Sequence, residues 1–288
     1  MPLNYDALTR TIVAPVRQTY TRKDSILYAL GLGVGAADPM DPGELKFVFE
    51  RDLVALPTQV TVLGFDPIWF ATPAFGITYS RILHAEQSLT VHRPLPPEGT
   101  VESEVRVDDV YDKGVDRGAI LQMTRLLRDA ASGELIATMG HAMFLRADGG
   151  FGGKSSGGAR LRTVPADRPV DRCFNIQVGL NQALIYRLSG DSNPLHADPA
   201  MARKAGFGRP ILHGLAAYGM VGRALIRHLC DDDPARMRRL DVRFTNPAYP
   251  GERLQIETWD VGPGDVAFRL VSADRGVVVE DCGRFEYD

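Results

Sequence analysis

A chain of 288 residues and 31.6 kDa, 44% hydrophobic and 24% charged, has the length of about two ordinary domains, and its composition excludes a disordered, fibrous or membrane-spanning protein. With 33 basic and 36 acidic side chains the formal net charge is −3, so no overall positive field exists to hold a nucleic-acid backbone or an anionic membrane surface. The three cysteines, Cys173, Cys230 and Cys282, are widely spaced and form no C-x-x-C pair, which argues against a disulfide framework or a zinc site. The opening Met1-Pro2-Leu3-Asn4-Tyr5-Asp6 shows no charged run leading into an apolar stretch, and Phe285-Glu286-Tyr287-Asp288 is not a peroxisomal address. A reducing, cytoplasmic setting is expected, with no membrane partner.

In chain order, Tyr28-Ala29-Leu30-Gly31 begins a helical segment. Arg93-Pro94-Leu95-Pro96-Pro97 then leads into an alternating strand through Val101, Ser103, Val105 and Val107. Two more strand-like runs follow at 120–127 and 135–145. Asp148-Gly149-Gly150-Phe151-Gly152-Gly153-Lys154-Ser155-Ser156-Gly157-Gly158 reads as an exposed, mobile linker. Beyond it the pattern recurs. Tyr186-Arg187-Leu188-Ser189-Gly190 lies 158 residues after Tyr28, and Asn246-Pro247-Ala248-Tyr249-Pro250 precedes a strand through Leu254, Ile256 and Thr258. Runs at 266–271 and 277–285 complete the second set. The chain therefore divides into a repeat at 1–147, a Gly/Ser/Pro-rich linker at 148–175 and a second repeat at 176–288, each a helix followed by antiparallel strands: α+β, duplicated. The segment from Gly214 to about Leu229 is apolar on nearly every face and too short to span a bilayer, so it is expected to be a buried central helix. A central helix wrapped by an antiparallel sheet is the architecture called a hotdog fold, which periodicity alone does not distinguish from other sheet-plus-helix arrangements.

The densest polar constellation is Gly190-Asp191-Ser192-Asn193-Pro194-Leu195-His196-Ala197-Asp198-Pro199. Asn193 and Asp198 each precede a proline, the signature of a capped helix start. One tight turn thus carries a carboxylate, Asp191, and an imidazole, His196, able to converge on one water for acid–base work near neutral pH. The same residues also fit plain turn capping. Downstream, Arg209-Pro210-Ile211-Leu212-His213-Gly214 opens the apolar helix. Gly214 there either presents its N–H to an anionic oxygen or merely permits close packing.

The strings 186–196, Gly206-Phe207 and Pro210-Ile211-Leu212-His213-Gly214-Leu215 resemble the hydratase 2 motif of the MaoC-like family, as found in the peroxisomal multifunctional enzyme of fatty-acid β-oxidation. The likeness extends over nearly the whole chain, through Val34-Gly35-Ala36, Leu45-Lys46-Phe47-Val48-Phe49-Glu50, Leu83-His84-Ala85-Glu86-Gln87, Asp112-Lys113-Gly114 and Tyr249-Pro250-Gly251. It implies a double hotdog that adds water to trans-2-enoyl-CoA to give (R)-3-hydroxyacyl-CoA. Asp191 and His196 match the catalytic pair, Asn193 the residue supporting it, and Gly214 the backbone donor to the thioester oxygen. Asp191 is favoured as base and His196 as acid. Transposing the pair by 158 residues lands on Gly33 and Asp38, so one active site per chain is expected, with the small residues 31–36 of the first repeat widening a groove for the acyl tail. Gly31-Leu32-Gly33 completes no G-x-G-x-x-G, and no dinucleotide loop is expected.

Further candidates for substrate binding are Glu50, as a buried carboxylate near the site, together with His84 and Gln87. Lys113, Lys154, Arg203, Lys204 and Arg243 are candidates for the coenzyme A phosphates. No metal or cofactor is expected, coenzyme A being part of the substrate, and a homodimer is expected for the family. Competing functions are a 3-hydroxyacyl-thioester dehydratase of lipid synthesis, a hotdog thioesterase, which this motif does not favour, and a non-catalytic acyl-CoA-binding module.

Overall fold

The computed structural model describes residues 2–38, 40–158 and 160–288. Ten strands form one antiparallel sheet: β1 (Val16–Tyr20), β2 (Ile82–Val91), β3 (Gly99–Asp112), β4 (Ala119–Asp129), β5 (Leu135–Leu145), β6 (Arg172–Gln177), β7 (Met237–Phe244), β8 (Arg253–Gly262), β9 (Asp265–Ser272) and β10 (Val277–Tyr287). Their order is β1-β3-β4-β5-β2-β7-β10-β9-β8-β6. The second five mirror the first, β6 answering β1 and β7 answering β2. The two repeats therefore join along one seam, where Glu86 faces Arg243 and Leu89 faces Leu240. Alternation drives the strands: in β4, Ala119, Leu121, Met123, Arg125 and Leu127 are buried and their neighbours half-buried.

The helices are α1 (Tyr5–Thr9), α2 (Arg22–Gly31), α3 (Pro42–Leu45), α4 (Gln182–Tyr186), α5 (Pro199–Lys204) and α6 (Gly214–Leu229). α6 is the expected buried helix. Tyr218, Val221, Leu225 and Ile226 are wholly enclosed in the main core beneath the sheet. Truncating such a leucine costs about 2–5 kcal/mol. Two glycines let α6 sit this deep. A Cβ on Gly219 would lie 2.7 Å from Leu32 Cδ2, and one on Gly222 would lie 2.9 Å from Thr58 Cγ2. Each forgoes about 1 kcal/mol of helix propensity to allow that approach. The helix stops where Asp231 and Asp232 turn left-handed at φ +53° and +62°, ahead of Pro234.

The first repeat handles its middle differently. Where α6 lies in the second, residues 57–75 of the first wind as short 3-10 turns, Pro57–Thr61, Pro67–Ala71 and Pro73–Phe75, the first of them packed on α6. A proline restarts each turn, and proline inside a continuing helix would remove its hydrogen bond and clash. The fully buried Arg125 closes this segment, donating to the carbonyls of Val60 (3.1 Å), Thr61 (2.8 Å) and Leu63.

Two expectations need correcting. The Gly/Ser-rich stretch is tied down at its start rather than mobile. Asp112 accepts the N–H groups of Gly150 and Gly152, each at 2.7 Å, and Asp148 accepts the Thr78 N–H and hydroxyl. One carboxylate thus gathers the glycine amides at the start of the stretch. The run 31–36 is packed rather than an open groove: a Cβ on Gly31 would lie 3.1 Å from Tyr186 Cα, and the Gly35 N–H donates to Glu44 at 2.6 Å. Among the described residues no helix is long and apolar enough to cross a membrane.

Candidate active site

The site grows from one irregular segment. After α4 a 3-10 turn, Arg187–Ser189, ends at Gly190 with φ +127°, a conformation that excludes ordinary side chains. Asp191 Oδ1 then accepts the Asn193 N–H (3.1 Å) and Asn193 Oδ1 accepts the Leu195 N–H (3.0 Å), which starts the turn Pro194–His196. Asp198 caps α5 in the same way. The cap-then-proline signals fold as the sequence predicts, and Asn193 orders the backbone that carries His196.

His196 is buried, and its Nδ1 donates to the Ile211 carbonyl at 3.0 Å. That bond places the proton of a neutral ring on Nδ1 and leaves a lone pair on Nε2. Burial lowers the His196 pKa, opposed by the Ile211 bond and the Asp191 charge. His213, one residue before α6, lies face to face with His196, ring centroids 3.7 Å apart, and its Nε2 donates to the Asp191 backbone carbonyl at 3.1 Å. Burial and the neighbouring His196 push His213 down to about 4. The Asp191 carboxylate and one nitrogen from each histidine fall within 4.8 Å of one another. By type this is also a metal-binding set, and with one nitrogen of each ring bonded to a carbonyl, Nε2 of His196 and Nδ1 of His213 are the nitrogens left as acceptors. The arrangement suits a small polar molecule held between Asp191 and His196.

Gly214 is the first residue of α6, so its N–H and that of Leu215 have no acceptor within the helix. It is exposed, and a Cβ there would lie 3.3 Å from the Phe244 ring. The first repeat contributes His84, half-buried at the start of β2, with its ring 5.1 Å from that of Phe244 and 5.6 Å from that of His141. Burial pushes His84 down to about 4, and Asp191 is near enough to oppose the shift.

Other predicted residues are placed elsewhere. Glu50 is exposed, contrary to the expected buried carboxylate. That role falls to Glu44, which binds Arg223 (2.7 Å) and Arg227 (2.9 Å) of α6 across the repeats. α3 turns Glu44 inward and leaves 49–50 on the surface. Gln87 is wholly buried in the seam, opposite Val242. Lys113 donates to the Ser155 carbonyl, Lys154 pairs with Asp109 and Arg243 with Glu86, so all three are engaged within the fold. Arg203 and Lys204 are exposed at the end of α5. Sequence reasoning missed His213, because a lone histidine before a glycine carries no spacing signal.

The two repeats match two family models in turn, the MFE-2 hydratase 2 N-terminal domain over residues 18–147 and the MaoC-like domain over 162–281. The chain is 36% identical to a peroxisomal enoyl-CoA hydratase 2 of Arabidopsis thaliana, over 89% of this chain and 87% of the relative. It is 37% identical to 3-hydroxyacyl-thioester dehydratase Y of Mycobacterium tuberculosis, over 96% of each. A crystal structure of a MaoC-like dehydratase from Phytophthora capsici superposes with a TM-score of 0.86 at 33% identity, covering 99% of both chains. With the fold, the turn and the relatives in agreement, this chain belongs to the MaoC-like family, in its two-repeat hydratase 2 branch.

Proposed function

We propose that this protein catalyses the reversible syn addition of water to a trans-2-enoyl-CoA, giving the (R)-3-hydroxyacyl-CoA of fatty-acid metabolism. The observation that carries this is the approach of the Asp191 carboxylate to a ring nitrogen of His196, within 4.8 Å, with the uncapped helix start at Gly214 directly following His213, whose ring stacks on His196. A water bridging Asp191 and His196 donates to both. Its oxygen bonds to Cβ, the double-bond electrons move onto the thioester oxygen, and the Gly214 N–H with the α6 dipole steadies that charge. His196 takes the released proton on Nε2 and returns it to Cα on the same face, restoring the thioester. His196 thus begins as the acceptor, the reverse of the order favoured from sequence, because burial favours a neutral ring whose single proton is held by Ile211. Asp191 orients the water and Asn193 fixes the turn. No metal or cofactor enters these steps.

The relative that is a 3-hydroxyacyl-thioester dehydratase favours a second use of the same groups, run in the opposite direction. A homodimer in a reducing compartment such as the cytoplasm completes the proposal. The three free thiols support the compartment, and light scattering giving twice 31.6 kDa would support the dimer.

The test mixes purified protein with short and long trans-2-enoyl-CoA and follows loss of the conjugated thioester absorbance, with chiral analysis of the product. Asp191→Asn should lower kcat about 10²–10⁴-fold with KM little changed. Binding without turnover at every chain length would sink the proposal in favour of a binding module.

A further inference from the structure

Two segments distant in sequence carry the site, the turn 190–196 and the stretch 211–214. They are bound to each other twice, in opposite directions. The Ile211 carbonyl accepts from His196 Nδ1 (3.0 Å), and the Asp191 carbonyl accepts from His213 Nε2 (3.1 Å). The two rings stack at 3.7 Å between these bonds. The Leu212 N–H, between the two anchoring residues, donates to the Ala248 carbonyl at 2.8 Å and ties the stretch to the β7–β8 connection. His213 is 1% exposed, Tyr186 covers it at a ring distance of 5.0 Å, and its Nδ1 has no hydrogen-bond partner among the described residues. A buried nitrogen without a partner costs free energy, so the ring is held here by what its other nitrogen and its face do.

We infer that His213 is a positioning residue: it sets the register between the Asp191/His196 pair and the Gly214 N–H. It grips the backbone of Asp191, backs the ring of His196 and directly precedes Gly214, so all three working groups are referenced to one side chain. This rests on the hydratase activity proposed above. A misplacement of about 1 Å is enough to cost about 10²-fold in rate.

The test uses three proteins. His213→Phe keeps a ring face against His196 and removes the donor, and His213→Gln returns an N–H at the reach of Nε2. For His213→Phe, kcat should fall about 10- to 100-fold with KM within about threefold, and His213→Gln should recover most of the loss. Independently of turnover, 15N spectra of histidine-labelled protein should show His196 as one Nδ1–H tautomer in the wild type and as a mixture in His213→Phe. Wild-type kcat with an unchanged His196 signal in His213→Phe overturns the inference. So does a parallel collapse of kcat, KM and Tm in both variants, which marks a merely structural residue. If the wild type hydrates no enoyl-CoA, the activity proposal fails, and the His196 tautomer alone decides the role of His213.

Discussion

Replacing Gly214 by proline isolates one hydrogen-bond donor. Gly214 is the first residue of α6, the one helical position where proline is well accommodated, since its missing N–H has no intrahelical partner. The preceding residue, His213, already has φ −60° and ψ +135°, the extended conformation that a following proline requires. The helix and the His213 backbone therefore remain as they are, and the N–H proposed to meet the thioester oxygen disappears. Loss of one such donor costs about 2.7–4 kcal/mol, or about 10²–10³ in kcat. Any substituent here meets the Phe244 ring, 3.3 Å from an added Cβ, so Gly214→Ala is the matched control: it makes the same contact and keeps the donor. The ring must yield by a few tenths of an ångström in both, and Gly214→Ala should stay within about tenfold of wild type. Steady-state hydration of a trans-2-enoyl-CoA by all three proteins, with urea unfolding to show equal folding, gives the comparison. Equal kcat for the proline and alanine variants would refute the oxyanion role of this N–H.

Four other outcomes are expected. Glu44→Ala strips the buried Arg223 of one of its two carboxylates and removes one of the ties between repeats, leaving Arg227 with Asp41, so urea unfolding should show a loss of about 3 kcal/mol; a loss below about 1 kcal/mol would show that Asp232 suffices for Arg223. Because burial lowers the His196 pKa and the step needs a neutral ring, the acid limb of kcat/KM should fall below the ordinary histidine value of about 6.5, and a limb at or above that value would contradict the burial argument. His84 and His213, both depressed to about 4, contribute stability that is complete above about pH 6.5 and is lost as pH falls toward 4, so Tm should drop across that window. Asp112→Ala removes the acceptor for the Gly114, Gly150 and Gly152 amides, and limited proteolysis within 149–158 should become severalfold faster; an unchanged cleavage rate would mean that Asp148 and Lys154 hold the stretch alone.

Much of this molecule was legible from local rules. Asn193-Pro194 and Asp198-Pro199 announce capped turns because an Asx side chain and a proline act over two or three residues. The all-round apolar stretch from Gly214 announces a buried helix for the same reason, and strand alternation exposed the duplication. The duplication also led to an expected central helix in each repeat, and in the first the prolines at 57, 67 and 73 break that segment into 3-10 turns. What only the tertiary structure decided involves partners brought together from afar. Arg243 is taken up by Glu86, 157 residues away, because β2 and β7 meet in register at the seam. Glu44 rather than Glu50 is the buried carboxylate because α3 turns it toward Arg223 and Arg227. His213 is one histidine among six until folding stacks it on His196 and hands its proton to the Asp191 carbonyl. Spacing along the chain determines which groups can cap, turn and alternate, whereas the pairing of side chains across the sheet and between the repeats depends on register and burial, which exist only once the chain has folded.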